Sequence, residues 1–129
     1  MRNFRKLEIW NDVRFLVKEI YLLTNTFPSS EKFGLISQIN RAAISIPANI
    51  AEGCAKDSQK DFARFLQISL GSAFEIESHL ILGNDIGFIT DKELSTKIEK
   101  LQLLQKRIYA LIKYTKSKQN PTAKILNLI

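Results

Sequence analysis

Apolar residues stand at Ile9, Val13, Leu16, Ile20, Leu23 and Phe27, at alternating steps of four and three. That spacing keeps side chains on one face of a helix, and it predicts a long amphipathic helix over residues 4–26. Trp10 and Val17 lie beside the stripe, and Arg5, Lys6, Arg14 and Lys18 take the outer side. Phe27-Pro28 ends the helix, because a residue before proline avoids the α region. Ser29 or Ser30 is expected to cap a second helix over residues 31–55, with Glu31 in its first turn. A third helix is expected from a cap at Asp57 or Ser58, with Asp61 in its first turn and an end at residues 84–87. Its inner stripe is Phe62, Leu66, Ala73, Ile76 and Leu80, with Leu70 and Phe74 alongside. Thr90 and Glu93 spell a capping box, threonine at the cap and glutamate three residues on. The fourth helix then turns Leu94, Ile98, Leu101, Leu104, Ile108, Leu111 and Ile112 inward and runs out near residue 118.

No strand alternation or internal repeat breaks this pattern. Four long helices with short joints predict an all-α protein, an antiparallel up-down-up-down four-helix bundle over residues 1–118. Residues 119–129 form a C-terminal tail that contains Ile125, Leu126, Leu128 and Ile129. The tail is expected to be flexible, since termini so often are.

The second helix is the unusual one. Its segment QINRAAISIPANIAEG, residues 38–53, carries one apolar stripe at Ile39, Ala43, Ile46 and Ile50 and a second at Ile44, Ala48 and Ala51. A narrow polar line runs between them: Gln38, Arg41, Ser45, Asn49 and Glu52. Two apolar stripes predict packing on two sides. Pro47 removes one backbone hydrogen bond and clashes with the Ala43 carbonyl, so a kink is expected there, and Gly53 is expected to stop the helix. On the third helix, Gly71-Ser72-Ala73 sits mid-helix, where glycine costs about 1 kcal/mol of helix propensity. A close approach of the alanine-rich second helix is the expected return.

Composition narrows the function classes. A length of 129 residues suits one domain, and 45% hydrophobic with 25% charged residues suits a folded protein. No apolar run nears the about 20 residues that span a bilayer, and MRNFRKLEIW lacks the apolar core of a signal peptide. One cysteine, Cys54, rules out an internal disulfide. A cytoplasmic protein without membrane attachment is expected. Nineteen Lys+Arg against 13 Asp+Glu give +6, which permits a nucleic-acid or acidic-protein partner.

The segment QINRAAISIPANIAEG, together with Phe27-Pro28, Glu31, Gly34-Leu35, Ser58, Phe62, Arg64-Phe65-Leu66 and Gly71-Ser72-Ala73-Phe74-Glu75, resembles the intervening-sequence proteins of 23S ribosomal RNA. The accessory variability determinant of diversity-generating retroelements is similar and shares their superfamily. The resemblance implies a four-helix protomer and a homo-oligomer, a pentameric ring with a central channel. It also implies basic surfaces for RNA or DNA, or a protein partner such as the reverse transcriptase that the retroelement relatives engage.

Candidate chemistry is sparse. A di-iron bundle core needs two Glu-x-x-His motifs, and the chain has one histidine, His79, four residues after Glu75. Cys54 follows the expected helix end, a position open to exposure, but its partner could only be His79 and no motif links them. No glycine-rich phosphate loop is present. The reading is therefore a non-enzyme with no catalytic residue, no metal and no cofactor. Arg41, Ser45, Pro47, Asn49, Glu52, Gly53, Gly71 and Glu75 are read as a structural or interface motif. In it, Arg41 would pair with Glu75, Glu77 or a neighbouring protomer's Glu52, and Asn49 would bond the carbonyl freed by Pro47 or the network around it. The nucleic-acid candidates are Lys92, Lys100, Lys106, Arg107, Lys113, Lys116 and Lys118 on the fourth helix, with Lys97 beside them. They are expected to contact phosphates rather than bases. No aromatic interleaving is read among them, so base stacking is not expected.

Overall fold

The computed structural model describes residues 1–118; the C-terminal tail lies outside the described residues. Four α-helices account for nearly all of it: α1 (Glu8–Thr24), α2 (Leu35–Cys54), α3 (Gln59–Ile86) and α4 (Asp91–Ser117). Their partners fix the directions. Arg2 meets Cys54 and Thr24 meets Asn40, so α2 returns along α1. Ser45 meets Ser72, while Leu35 lies near Gly83, so α3 reverses again. Glu19 pairs with Lys100 and Asp12 with Arg107, so α4 closes antiparallel on α1.

The stripes read from the sequence build the core. Ile9, Val13, Leu16, Ile20, Leu23 and Phe27 are all buried, as are Leu66, Ile76, Leu80, Leu101 and Ile108. The caps are equally legible. The Ser58 hydroxyl accepts the Asp61 N–H at 3.1 Å. Thr90 and Glu93 exchange both bonds of the capping box, at 3.1 and 3.0 Å. Those bonds hold the Glu93 carboxyl below its usual value, the Thr90 backbone N–H contributing most. Gly87 ends α3 with φ 94, a left-handed position that suits glycine.

The second helix differs from expectation at several points. It begins at Leu35, after a 3-10 turn over Ser29–Glu31. Neither serine caps it; instead Glu31 Oε2 accepts the Leu35 N–H at 3.0 Å. Only one of its apolar stripes is buried. Ile39, Ala42, Ala43, Ile46 and Ile50 face α1 and α3, while Ile44 is 49% exposed and Ala48 also faces outward. Gly53 does not stop the helix. It is buried inside the last turn, where a Cβ would sit 2.9 Å from Phe65 Cβ and 3.1 Å from Phe62 Cδ1. Gly71, in contrast, faces outward, and a Cβ there would meet nothing within 4 Å. The close approach of α2 to α3 is marked by Gly53 against Phe65 and by Ser69 and Ser72, which bond the Ile46 carbonyl and Ser45. Helix continues on both sides of Pro47.

The N-terminal residues latch one end of the bundle. Arg2 N–H donates to Cys54 O at 3.2 Å, its guanidinium donates to Lys56 O at 3.0 Å and Gln59 Oε1 at 2.9 Å, and it lies 4.1 Å from the Phe62 ring centre. The carbonyl of Cys54, the last residue of α2, thus gains a donor that a helix end lacks. Cys54 beneath is 1% exposed, so the exposure its position allowed is not realised. Burial pushes its thiol pKa up, against a smaller downward pull from Arg2. The folded chain therefore keeps that proton to higher pH than the unfolded chain. Stability falls as pH rises through the ordinary thiol range. Arg2→Ala is expected to cost about 1–2 kcal/mol through lost charged hydrogen bonds, and to speed labelling of Cys54 by a thiol reagent several-fold. A labelling time course at fixed pH checks this.

Candidate functional site

The polar line of α2 divides into two parts. Its inner part is a short network with α3. Asn49 Nδ2 donates to the Ser45 carbonyl at 2.8 Å and to Ser45 Oγ at 2.9 Å, and Ser72 Oγ bonds Ser45 Oγ at 2.8 Å. Below it the buried Ser69 hydroxyl donates to Ile46 O at 2.7 Å. Each such bond contributes about 1 kcal/mol net, and more is lost if one partner is left alone. The Asn49 amide therefore goes to the Ser45 carbonyl, not to the Ala43 carbonyl that Pro47 frees.

The outer part makes no such contacts. Arg41 and Glu52 are exposed, and among the described residues Arg41 has no ion pair. Its two expected in-chain partners are engaged elsewhere. Glu75 Oε1 lies 3.3 Å from His79 Nε2, and Glu77 Oε1 accepts the Gln105 amide at 2.8 Å. Arg41, Glu52, Gly71 and Glu75 thus share an outward position.

The lysines of α4 also divide. Lys100 Nζ lies 2.8 Å from Glu19 Oε1, Lys97 Nζ lies 3.7 Å from Glu19 Oε2, and Arg107 pairs with Asp12. These three charges meet two carboxylates of α1, Glu19 and Asp12, and stitch α4 to it. Lys92, Lys106, Lys113, Lys116 and Lys118 are exposed and make no ion pair among the described residues.

Antiparallel packing gathers charge by sign. Where α1 begins and α4 ends, Arg2, Arg5, Lys6, Lys56, Lys60, Lys113, Lys116 and Lys118 converge against fewer acids, such as Glu8 and Asp61. At the opposite end Glu31, Asp85, Asp91, Glu93 and Glu99 outnumber Lys32, Lys92 and Lys97, so the bundle is basic at one end and slightly acidic at the other. Aromatic rings lie within the basic end, contrary to the expectation of none. Tyr109 and Tyr114 are exposed, with Lys113 Nζ 5.4 Å from the Tyr109 ring centre and Lys118 Nζ 4.4 Å from that of Tyr114. Both are in plain view among the lysines of the sequence, each four residues before its partner.

A family model described as 23S rRNA-intervening sequence protein matches residues 5–110. The chain belongs to this family. The matched span begins just after the Arg2 latch, runs through most of α4 and includes the α2–α3 network, so the 23S rRNA-intervening sequence protein fold is the bundle described above. No curated protein matches the chain significantly.

Cys54 and His79, the two residues weighed for nucleophilic chemistry, are not brought together in this 23S rRNA-intervening sequence protein. Cys54 is covered at the latched end, whereas His79 lies in the far half of α3. Among the described residues no group of three or more His, Cys, Asp or Glu side chains is placed to hold a metal ion, and no helix is long and apolar enough to cross a membrane.

Proposed function

We propose that this protein is a non-enzymatic, ring-forming bundle that binds structured RNA or DNA through its basic helix faces. The observation that carries the reading is the gathering of exposed, unpaired lysines where α4 ends. Along the second half of α4, Lys106, Lys113, Lys116 and Lys118 are the phosphate contacts, and Lys92, at the other end of the helix, is a separate one. Lys100 and Arg107 hold α4 on α1 and take a lesser part. Bound phosphates release counterions, so affinity should fall steeply with salt. In a ring, identical faces repeat about one axis and weak contacts add. A cytoplasmic setting suits a single, covered thiol. The test is a binding titration with structured RNA at several salt concentrations. No binding at low salt, or binding indifferent to salt, would sink the reading.

The outward motif residues are assigned to assembly. Arg41 of one copy meets a carboxylate of the next, with Glu52 the candidate, as in a closed homopentamer. Arg41→Ala should leave the unfolding midpoint of the isolated chain within about 0.5 kcal/mol, as surface substitutions do. It should also shift the light-scattering mass towards smaller species. An unchanged mass would remove Arg41 from the interface.

A protein partner is the second reading, and one observation favours it. Phe15, Leu22 and Leu103 are exposed along the α1–α4 flank. A partner on that flank would co-purify and survive nuclease treatment.

A further inference from the structure

A groove of about 620 Å³ runs between the middle turns of α3 and α4, on the side from which Lys113 and Lys116 continue toward the basic end. Its walls are aromatic: Phe74 is 55% and Tyr109 54% exposed. Its floor holds Leu70 and the Gln105–Glu77 pair, and Lys106 stands on its rim. Lys113 lies beside the Tyr109 ring, and Lys116 follows within the same turn of α4. The volume falls within the range of small-molecule pockets.

From this we infer that the groove takes an unpaired nucleobase from a single-stranded segment of RNA or DNA. The inference deepens the nucleic-acid reading and rests on it. A base is flat and offers a face to each ring, which is the contact that sequence-tolerant single-strand binders use. The sugar-phosphate chain then runs along Lys106, Lys113 and Lys116. The Glu77 carboxylate keeps phosphate off the floor and accepts a hydrogen bond from a base N–H. A duplex buries its bases in the stack and has nothing to insert, so the groove selects loops, bulges and frayed ends.

The test compares a hairpin having an unpaired ten-nucleotide loop with a blunt duplex of equal charge, in RNA and DNA versions, by fluorescence anisotropy. The wild-type protein should prefer the hairpin. Tyr109→Ala and Phe74→Ala should each lower hairpin affinity about 5- to 100-fold, with duplex affinity and salt slope unchanged, and Tyr109→Phe should retain the preference. RNA and DNA loops bound alike would mean that the base and phosphate are read without the 2′-hydroxyl; a preference for RNA would bring the hydroxyl into the same groove. Both rings are exposed, so the variants should fold, and circular dichroism verifies that. Equal affinity of the variants and the wild-type protein for the hairpin would overturn the inference while the electrostatic reading stood. So would a fall in oligomer mass with affinity unchanged, which would mean that a second copy covers the groove. Failure of both probes to bind wild-type protein at low salt would remove the electrostatic reading, and this one with it.

Discussion

Alanine at Gly53 and alanine at Gly71 should move stability in opposite directions. Both glycines lie inside helices, so each substitution gains about 1 kcal/mol of helix propensity. At Gly71 nothing stands within 4 Å of the new methyl group. Gly71→Ala should therefore raise stability by about 0.5–1 kcal/mol. At Gly53 the methyl would lie 2.9 Å from Phe65 Cβ. That atom is fixed to the α3 backbone and cannot swing aside, so α2 and α3 must part. Overpacking of this kind costs about 1–3 kcal/mol. It acts here on the tightest helix pair of the bundle and also loosens the Ser69 and Ser72 bonds across it. The net loss for Gly53→Ala should be about 1–2 kcal/mol, and Gly53→Leu should prevent folding. Urea unfolding midpoints of the two alanine variants, with circular dichroism of Gly53→Leu, give the answer. Equal shifts at the two glycines would mean that α2 does not lie on α3 as described.

The second large effect concerns charge. Removing Lys106, Lys113 and Lys116 together should reduce the slope of log affinity against log salt by about 2–3, since each phosphate contact contributes about 0.7–0.9. Affinity at fixed moderate salt should drop on the order of 100-fold, about fivefold for each contact. Removing Lys100 and Arg107 should change the slope by less than about 1. Their charges are already met by Glu19 and Asp12, so fewer counterions are theirs to release. That double variant should instead cost about 0.4–2 kcal/mol of stability, from two surface pairs. If the two sets of substitutions lowered the slope alike, net charge rather than placement would govern binding.

The four helices and most of their ends are readable from the chain, because each is specified locally. A stripe at three and four predicts burial, and Thr90 with Glu93 predicts its own hydrogen bonds. What is not readable depends on which way a helix faces. Gly53 and Gly71 look alike as letters, and their roles are exchanged: the expected stop is a close contact, and the expected contact is bare. Ile44 and Ala48 form a stripe as regular as Ile46 and Ile50, but α2 has neighbours on only one side within the protomer. The pairing of Lys100 and Arg107 with α1 needs the register between helices distant in sequence. The two tyrosines are a different matter. They stand among the lysines, and the signal at i and i+4 was available without coordinates.

The separation of basic and acidic ends has a consequence for encounter kinetics. A bundle charged this way carries an electric dipole along its long axis. In the field of a polyanion it feels a torque before it touches anything, and it arrives with the end of α4 leading. The reactive orientation is then selected during diffusion, so added salt should slow association more than it hastens release.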